Sequence, residues 1–102
     1  KMKNKKENNF FEELFVSIKK SAKGNDKLSY TKYLIKEGKN KIAQKVGEES
    51  IELIIDYLKG SKKRTTEEAA DLIYHVFVLL YEKKINLDDI KKELVKRRNV
   101  RR

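Results

Sequence analysis

The stretch Lys45-Val46-Gly47-Glu48-Glu49-Ser50-Ile51-Glu52 is acidic, and a second acidic stretch, Glu67-Glu68-Ala69-Ala70-Asp71, follows it further along the chain. Both acidic stretches lie in segments that are otherwise strongly apolar, and their acids recur three or four residues apart. Residues at that spacing share one face of an α-helix. The sequence therefore predicts two helices that each carry a narrow acidic stripe, a pattern more typical of a cation site than of a solvated surface.

The first acidic stretch lies in a predicted helix from about Asn40 to Leu58, which Gly60 ends. At about 100° per residue, its charged side chains share a narrow sector and its apolar side chains fill the wide remainder. The charged sector contains Lys41, Lys45, Glu48, Glu49, Glu52 and Asp56.

The second acidic stretch lies in a predicted helix from Thr66 to about Lys83, capped by Thr65 or Thr66. Its polar sector is equally narrow and holds Glu68, Asp71, His75 and Glu82. A helix that is apolar over so much of its girth is buried centrally. Its apolar girth also makes this helix our first candidate for a dimer interface.

Capping residues mark the remaining helices. We predict them at Phe10 to Lys20 after Asn8 or Asn9, at Tyr30 to Lys36 between Ser29 and Gly38, and from Asn86 onwards. The expected fold is all-α, a helical bundle of about four main helices in one domain over residues 1–102. Basic ends at residues 1–8 and 97–102 are expected to be flexible.

The composition excludes several classes of protein. The chain has 102 residues without cysteine, so disulfides, thiolate zinc sites and cysteine nucleophiles are ruled out. No apolar run is long enough for a membrane span, and Lys1 to Lys6 is not followed by a signal-peptide core. We expect a cytoplasmic protein without a membrane partner, and an oligomer because a short chain gains from extra burial.

The net charge is +10, from 26 Lys and Arg against 16 Asp and Glu. Such an excess favours a polyanionic partner, either a nucleic acid or a multiply phosphorylated small molecule. Much of the excess lies near the two ends of the chain, where solvated tails are the commonest explanation.

Some of these acids also have a purely structural interpretation. Acids three and four apart repel one another unless a cation such as Mg²⁺ or Mn²⁺ lies between them. Glu68 alternatively fits a capping box that starts at Thr65, and Glu48 and Glu49 alternatively pair with Lys45. Asp71 is harder to explain structurally, because aspartate is unfavourable inside an apolar helix.

Two further residues share these sectors. His75 lies one turn beyond Asp71 and can orient it, although a lone histidine on a helix is more often a core or boundary residue. Lys45 shares the acid sector and is a candidate phosphate contact. The tyrosines of the second acidic helix are expected to pack, unless one of them lines a base-binding pocket.

The two motifs resemble those of a known enzyme family. They read Gly38-Lys39-Asn40-Lys41-Ile42-Ala43-Gln44-Lys45-Val46-Gly47-Glu48-Glu49 and Glu67-Glu68-Ala69-Ala70-Asp71-Leu72-Ile73-Tyr74-His75. They closely resemble the phosphoribosyl-ATP pyrophosphohydrolases of histidine biosynthesis, within the all-α nucleoside triphosphate pyrophosphohydrolases of the MazG type. The likeness extends from about Ser29 to Arg97.

The resemblance implies a cytoplasmic, Mg²⁺-dependent homodimer that hydrolyses phosphoribosyl-ATP, with Mn²⁺ as a possible substitute metal. It assigns metal binding to Glu48, Glu49, Glu52, Glu68 and Asp71, and activation of the water to Glu48 or Glu49. Lys45, Lys41, Tyr30 and Arg97 are then expected to bind the substrate.

Two other functions compete with this one. The same acids would serve a housecleaning hydrolase of other nucleoside triphosphates equally well. A basic helical nucleic-acid-binding module would use the termini and lose affinity in salt, but it leaves the inward acids unexplained. We therefore expect no nucleic-acid partner.

Overall fold

The computed structural model describes residues 9–26 and 29–100, and the described part contains helices and no strand. The helices are α1 (Phe10–Lys23), α2 (Tyr30–Glu37), α3 (Lys39–Lys59), α4 (Lys62–Glu82) and α5 (Leu87–Val100). The predicted all-α class is confirmed. The basic ends at residues 1–8 and 101–102 lie outside the described residues, whereas residues 97–100 continue α5.

The predicted caps of α2 are confirmed. The Ser29 hydroxyl accepts a hydrogen bond from the backbone N–H of Lys32 at 3.1 Å, which satisfies a free donor of the first turn. Gly38 ends the helix with φ of 97°, a conformation that suits glycine. Asn9 is different, because its side chain makes no capping bond at the start of α1; Asn8 lies outside the described residues.

The start of α4 corrects a prediction. The helix begins at Lys62, and its cap is Ser61, whose hydroxyl accepts from the Arg64 N–H at 3.0 Å. The Thr65 hydroxyl instead donates to the Ser61 carbonyl at 2.9 Å, as a residue inside a helix does. Glu68 therefore lies past the first turn, and its predicted capping box with Thr65 is wrong. Lysine and arginine are good helix formers, so residues 62–64, which lie between the two predicted acidic helices, form the first turn of α4.

Helices α3 and α4 form an antiparallel hairpin joined by Gly60 and Ser61, and this pair makes the most extensive packing in the molecule. Helices α1 and α2 pack across one side of it. The centre of the core holds one side chain from each of the four helices: Ile18, Leu34, Ile42 and Val78. Four helices therefore fix the relative position of the two acidic stripes.

An apolar face of α3 is left uncovered. Five of its side chains are between 52% and 73% exposed, namely Ile51, Ile54, Ile55, Tyr57 and Leu58. In contrast, Val78 and Leu80 of α4 are buried, as the prediction of a central α4 requires. The expectation that α4 contributes to a dimer interface stays a prediction, since Ile73 of α4 is 38% exposed, but the larger exposed apolar face lies on α3.

Helix α5 packs extensively against none of the other described helices. Its residues 88–98 are all exposed, including the apolar Leu94. Its first turn is fixed locally, since the Asn86 N–H donates to the Asp89 carboxylate at 2.9 Å. Among the described helices, none combines the length and the apolar character that crossing a bilayer requires.

Candidate active site

Three carboxylates from the two acidic stripes meet between α3 and α4. Glu49 comes from α3, and Glu68 and Asp71 come from α4; one oxygen of each lies within 4.8 Å of the others. Asp71 is exposed, whereas Glu49 is 8% and Glu68 is 4% exposed. Ionised carboxylates are rarely buried together without a compensating cation. We refer to these three residues as the acidic cluster.

Two oxygens of the acidic cluster have neither solvent nor a hydrogen-bond partner. They are Glu49 Oε1 and Glu68 Oε1, judged against all described residues. Burying an oxygen without a partner costs about 1–3 kcal/mol, so such atoms signal a missing ligand. Hard oxygen ligands at this spacing match the preferences of Mg²⁺ and Mn²⁺. The residues present therefore fit a divalent metal ion.

The electrostatics of Glu49 agree with this fit. Burial raises the pKa of its carboxyl, and the adjacent Glu68, Glu52 and Asp71 raise it further. Each of these influences disfavours the charged form in the absence of a counter-charge. A bound cation or a proton relieves the conflict, so protons and metal ions compete at this position.

Two predicted metal ligands lie outside the acidic cluster. Glu52 is exposed, and the charge of Glu68 is the main cause that raises its pKa, so it lies at the rim. Glu48 accepts from Gln44 Nε2 at 2.9 Å and has Lys45 Nζ at 3.4 Å. The Gln44 hydrogen bond, followed by Lys45, lowers the pKa of Glu48. The structure thus brings three of the five acids together and leaves two beside them.

Cationic side chains lie near the acidic cluster on both helices. Lys45 Nζ is 3.7 Å from Glu49, as the alternative based on sequence spacing anticipated. Arg64 Nη2 lies 2.9 Å from Glu68 Oε2, and its Nη1 lies 2.7 Å from Glu67. Arg64 is not among the predicted site residues, because it precedes the predicted start of the second acidic helix. Its position four residues before Glu68 was the available signal.

His75 links α4 to α2. Its Nδ1 lies 2.7 Å from the Asp71 carbonyl oxygen, which can only accept, so Nδ1 carries a hydrogen. In the neutral ring Nε2 then accepts from the Tyr30 hydroxyl at 2.9 Å. His75 is buried at 6% exposure. It therefore contacts the Asp71 backbone rather than orienting the Asp71 carboxylate.

The other predicted substrate contacts are placed differently. Lys41 lies one turn before Lys45 on α3 and helps to lower the pKa of Glu48. Arg97 lies on α5, where its Nε donates to Glu93 Oε2 at 3.1 Å. Because α5 packs so little against the other described helices, one chain alone does not bring Arg97 to the acidic cluster.

Comparison with known proteins places this geometry in context. A family model described as phosphoribosyl-ATP pyrophosphohydrolase matches residues 11–99. A phosphoribosyl-ATP pyrophosphatase of Lactiplantibacillus plantarum is 48% identical over 86 residues, which cover 84% of this chain and 81% of that protein. One of Clostridium botulinum is 46% identical over 91 residues, or 89% and 83% of the two chains.

A longer relative covers the same region. The histidine biosynthesis bifunctional protein HisIE of Staphylococcus aureus is 42% identical over 88 residues. That alignment covers 86% of this chain but 42% of the relative. The chain thus spans less than half the length of the bifunctional relatives, and most of the length of the two pyrophosphatases.

Proposed function

The chain belongs to the phosphoribosyl-ATP pyrophosphohydrolase family, and from this membership and the acidic cluster we propose that it hydrolyses phosphoribosyl-ATP to phosphoribosyl-AMP and pyrophosphate in histidine biosynthesis. The observation that carries the proposal is the pair of buried, unpartnered oxygens on Glu49 and Glu68. Cleavage of a phosphate bond requires a cation between the carboxylates of the site and the phosphates of the substrate. The two unpartnered oxygens are available to bind that cation.

Glu49, Glu68 and Asp71 would hold Mg²⁺ or Mn²⁺. When bound, such an ion neutralises phosphate charge as the bond between the α and β phosphoryl groups breaks. The burial of two of these ligands serves the same purpose, because fixed charges act more strongly where water is excluded. Glu52, at the rim, is the next carboxylate available to a metal-bound substrate.

We assign activation of the attacking water to Glu48, which is one of the two glutamates predicted for that role. Glu49 belongs to the acidic cluster, whereas Glu48 faces Gln44 and Lys45 outside it. The lowered pKa of Glu48 keeps its carboxylate ionised near neutral pH, so it can accept a hydrogen bond from the water and orient it. Lys45 then has a second partner in the substrate phosphates.

Phosphate binding falls to the cations around the acidic cluster. Lys45 and Lys41 lie on α3, and Arg64 lies on α4 beside Glu68. The Arg64 side chain is half-exposed and its planar guanidinium suits bidentate contact with phosphate oxygens. Arg97 joins this set only if α5 reaches the site from a second chain.

We propose that the protein is a homodimer and that the exposed face of α3 forms the interface. Five large apolar side chains on one helix form a patch that isolated soluble chains rarely leave open. Helix α5 carries its own exposed apolar residue, Leu94, and packs extensively against none of the other described helices. A second copy would cover both surfaces at once.

The direct test is pyrophosphate release from phosphoribosyl-ATP, with Mg²⁺ and with a chelator in its place. The expected result is turnover that requires Mg²⁺ and exceeds that on ATP, dATP and dCTP assayed in parallel. Equal or faster turnover of the ordinary triphosphates would instead indicate a housecleaning hydrolase. Absence of turnover on every nucleotide would overturn both assignments.

A further inference from the structure

Three tyrosine rings form a row beside the acidic cluster. Tyr30 and Tyr33 lie on α2 and Tyr74 lies on α4. The Tyr30 ring is 6.0 Å from each of the other two, with interplanar angles of 24° to Tyr33 and 26° to Tyr74. Both pairs are stacked, and Tyr30 is the ring that they share. We call this set the tyrosine row.

The inner end of the tyrosine row is held in place. The hydroxyl groups of Tyr74 and Thr31 are hydrogen-bonded to each other, and Thr31 is buried. Tyr30 is fixed by its hydroxyl bond to His75, whose ring also meets the Tyr30 ring edge-on at 5.6 Å and 81°. Rings constrained at both edge and hydroxyl lose little further freedom when a ligand stacks on them.

The outer end of the tyrosine row is open. Tyr30 is 43% and Tyr33 is 45% exposed, although both are aromatic and lie on a helix that has a buried side available. Thr31 and Leu34 occupy that buried side. An aromatic face left in solvent next to a polar site is suited to a planar ligand, because stacking on it is tolerant of ligand identity.

The tyrosine row is joined to the acidic cluster through His75. The His75 Nε2 accepts from the Tyr30 hydroxyl at 2.9 Å, and its Nδ1 donates to the carbonyl oxygen of Asp71 at 2.7 Å. Asp71 supplies one carboxylate of the acidic cluster. One histidine thus separates the Tyr30 ring from a residue of the acidic cluster, so the row lies beside the site of the proposed phosphate chemistry.

We propose that the free face of the Tyr33 ring, supported from behind by Tyr30, is a stacking surface for the purine base of the nucleotide, and that His75 is the positioning residue that fixes Tyr30. The identity of the nucleotide rests on the proposed function, but the stacking surface does not require hydrolysis. The Tyr30 hydroxyl is held by His75 rather than by the ligand, so the base contacts ring faces and the phosphates contact the cations.

The test compares binding of AMP with binding of pyrophosphate in the presence of Mg²⁺, measured by calorimetry on the full chain. Three variants are matched at one position: Y33A removes the ring, Y33L keeps apolar bulk, and Y33F keeps the ring. AMP affinity is expected to fall about tenfold in Y33A and in Y33L, and to stay within about twofold in Y33F. Pyrophosphate carries no base, so its affinity is expected to stay unchanged in all three.

The outcomes separate this proposal from the proposed function. Equal AMP affinity in Y33A and the parent chain overturns the stacking surface, even if phosphoribosyl-ATP is hydrolysed. A loss in Y33A that Y33L restores also overturns it, because apolar contact would then suffice. AMP binding that depends on the Tyr33 ring, in a chain that hydrolyses no nucleotide, would support the stacking surface and contradict only the proposed reaction.

The role of His75 is tested by a double-mutant cycle with Tyr30. H75F removes both ring hydrogen bonds, and Y30F removes the hydroxyl while keeping the ring. Each is expected to raise KM several-fold with a much smaller change in kcat, and the double variant is expected to lose no more than H75F alone. Additive losses, or a fall confined to kcat, would overturn the positioning role.

Discussion

Two faces of helix α3 differ in burial: one buries a charged side chain, and the other exposes apolar side chains. The face toward α4 buries Glu49, whereas the opposite face leaves Ile54 and Leu58 in water. Soluble proteins normally bury isoleucine and expose glutamate. The inversion indicates that neither face is complete in the single chain. In the proposals above, the acid face holds a cation and the apolar face contacts a second copy of the chain.

The largest expected effect comes from neutralising the acid face. E68Q keeps the shape of the side chain but removes the charge of a buried member of the acidic cluster. Mg²⁺-dependent pyrophosphate release is expected to fall about 100-fold or more. The matched control is E13Q, an exposed glutamate on α1 that is expected to retain full activity. Comparable losses in both variants would show that the effect is not specific to the acidic cluster.

The apolar face is tested by placing a charge on it. L58D is expected to reduce the mass measured by light scattering from that of two chains to that of one, 12.1 kDa, because a buried carboxylate at an interface is strongly unfavourable. N40D adds the same charge near the start of α3, away from the patch, and is expected to remain dimeric. A dimer that survives L58D would place the interface elsewhere.

The melting temperature of the chain without metal is a further test of the acid face of α3. Because neighbouring acids and burial raise the pKa of Glu49, E49Q is expected to raise the metal-free melting temperature by a few degrees while abolishing activity. Mg²⁺ at about 100 times its Kd is expected to stabilise the parent chain by about 2.7 kcal/mol, and E49Q much less. Equal stabilisation of both would contradict the assignment of Glu49. Calorimetry of both proteins, with and without metal, measures each quantity.

The pH dependence follows from the same carboxyl groups. The folded-state pKa values of Glu49 and Glu52 lie above their ordinary value of 4.5, so protonation favours the folded state. Their contribution is fully present below about 4.5 and is lost as the pH rises through the raised pKa values. The metal-free melting temperature is therefore expected to increase as the pH is lowered toward 4.5 through the raised pKa values, and the Mg²⁺ affinity is expected to decrease. A melting temperature that falls over this range in the parent chain and in E49Q alike would contradict this.

The smallest expected effect concerns Arg64. Its ion pairs are half-exposed and screened by solvent, so R64A is expected to change the stability of the chain little. Activity is expected to fall several-fold through KM, because one phosphate contact and one partner of Glu68 are lost. R64K is expected to recover part of the loss, and an unchanged KM in R64A would remove Arg64 from the substrate contacts.

Much of this arrangement follows from helical spacing. The acids of α3 and α4 recur on one face each, so a short hairpin predicts that the two acidic stripes meet, as Glu49, Glu68 and Asp71 do. Spacing alone does not separate these three from Glu48 and Glu52, which were predicted with them. The Ser29 and Gly38 boundaries of α2 follow from capping chemistry in the same way. In each case the relevant residues lie within one or two turns of each other, or on adjacent helices.

Other features depend on contacts between residues that are far apart in sequence, and helical spacing does not predict such contacts. The bond between Tyr30 and His75 joins residues 45 positions apart, and no periodicity predicts it. A helical wheel shows that α3 and α4 are both widely apolar, but not which apolar sector the chain's own helices cover. The start of α4 was misplaced because Ser61 and Thr65 are both good caps, and helix propensity decided between them.

The most direct test of the central claim is a Mn²⁺ titration of the isotope-labelled chain, followed by paramagnetic broadening of backbone amide signals. The account predicts saturable broadening centred on Glu49, Glu68 and Asp71 at substoichiometric Mn²⁺, reversed by excess Mg²⁺ and lost in E49Q. Broadening spread over the exposed acids of α1 and α5, or unchanged in E49Q, would contradict a metal site between α3 and α4.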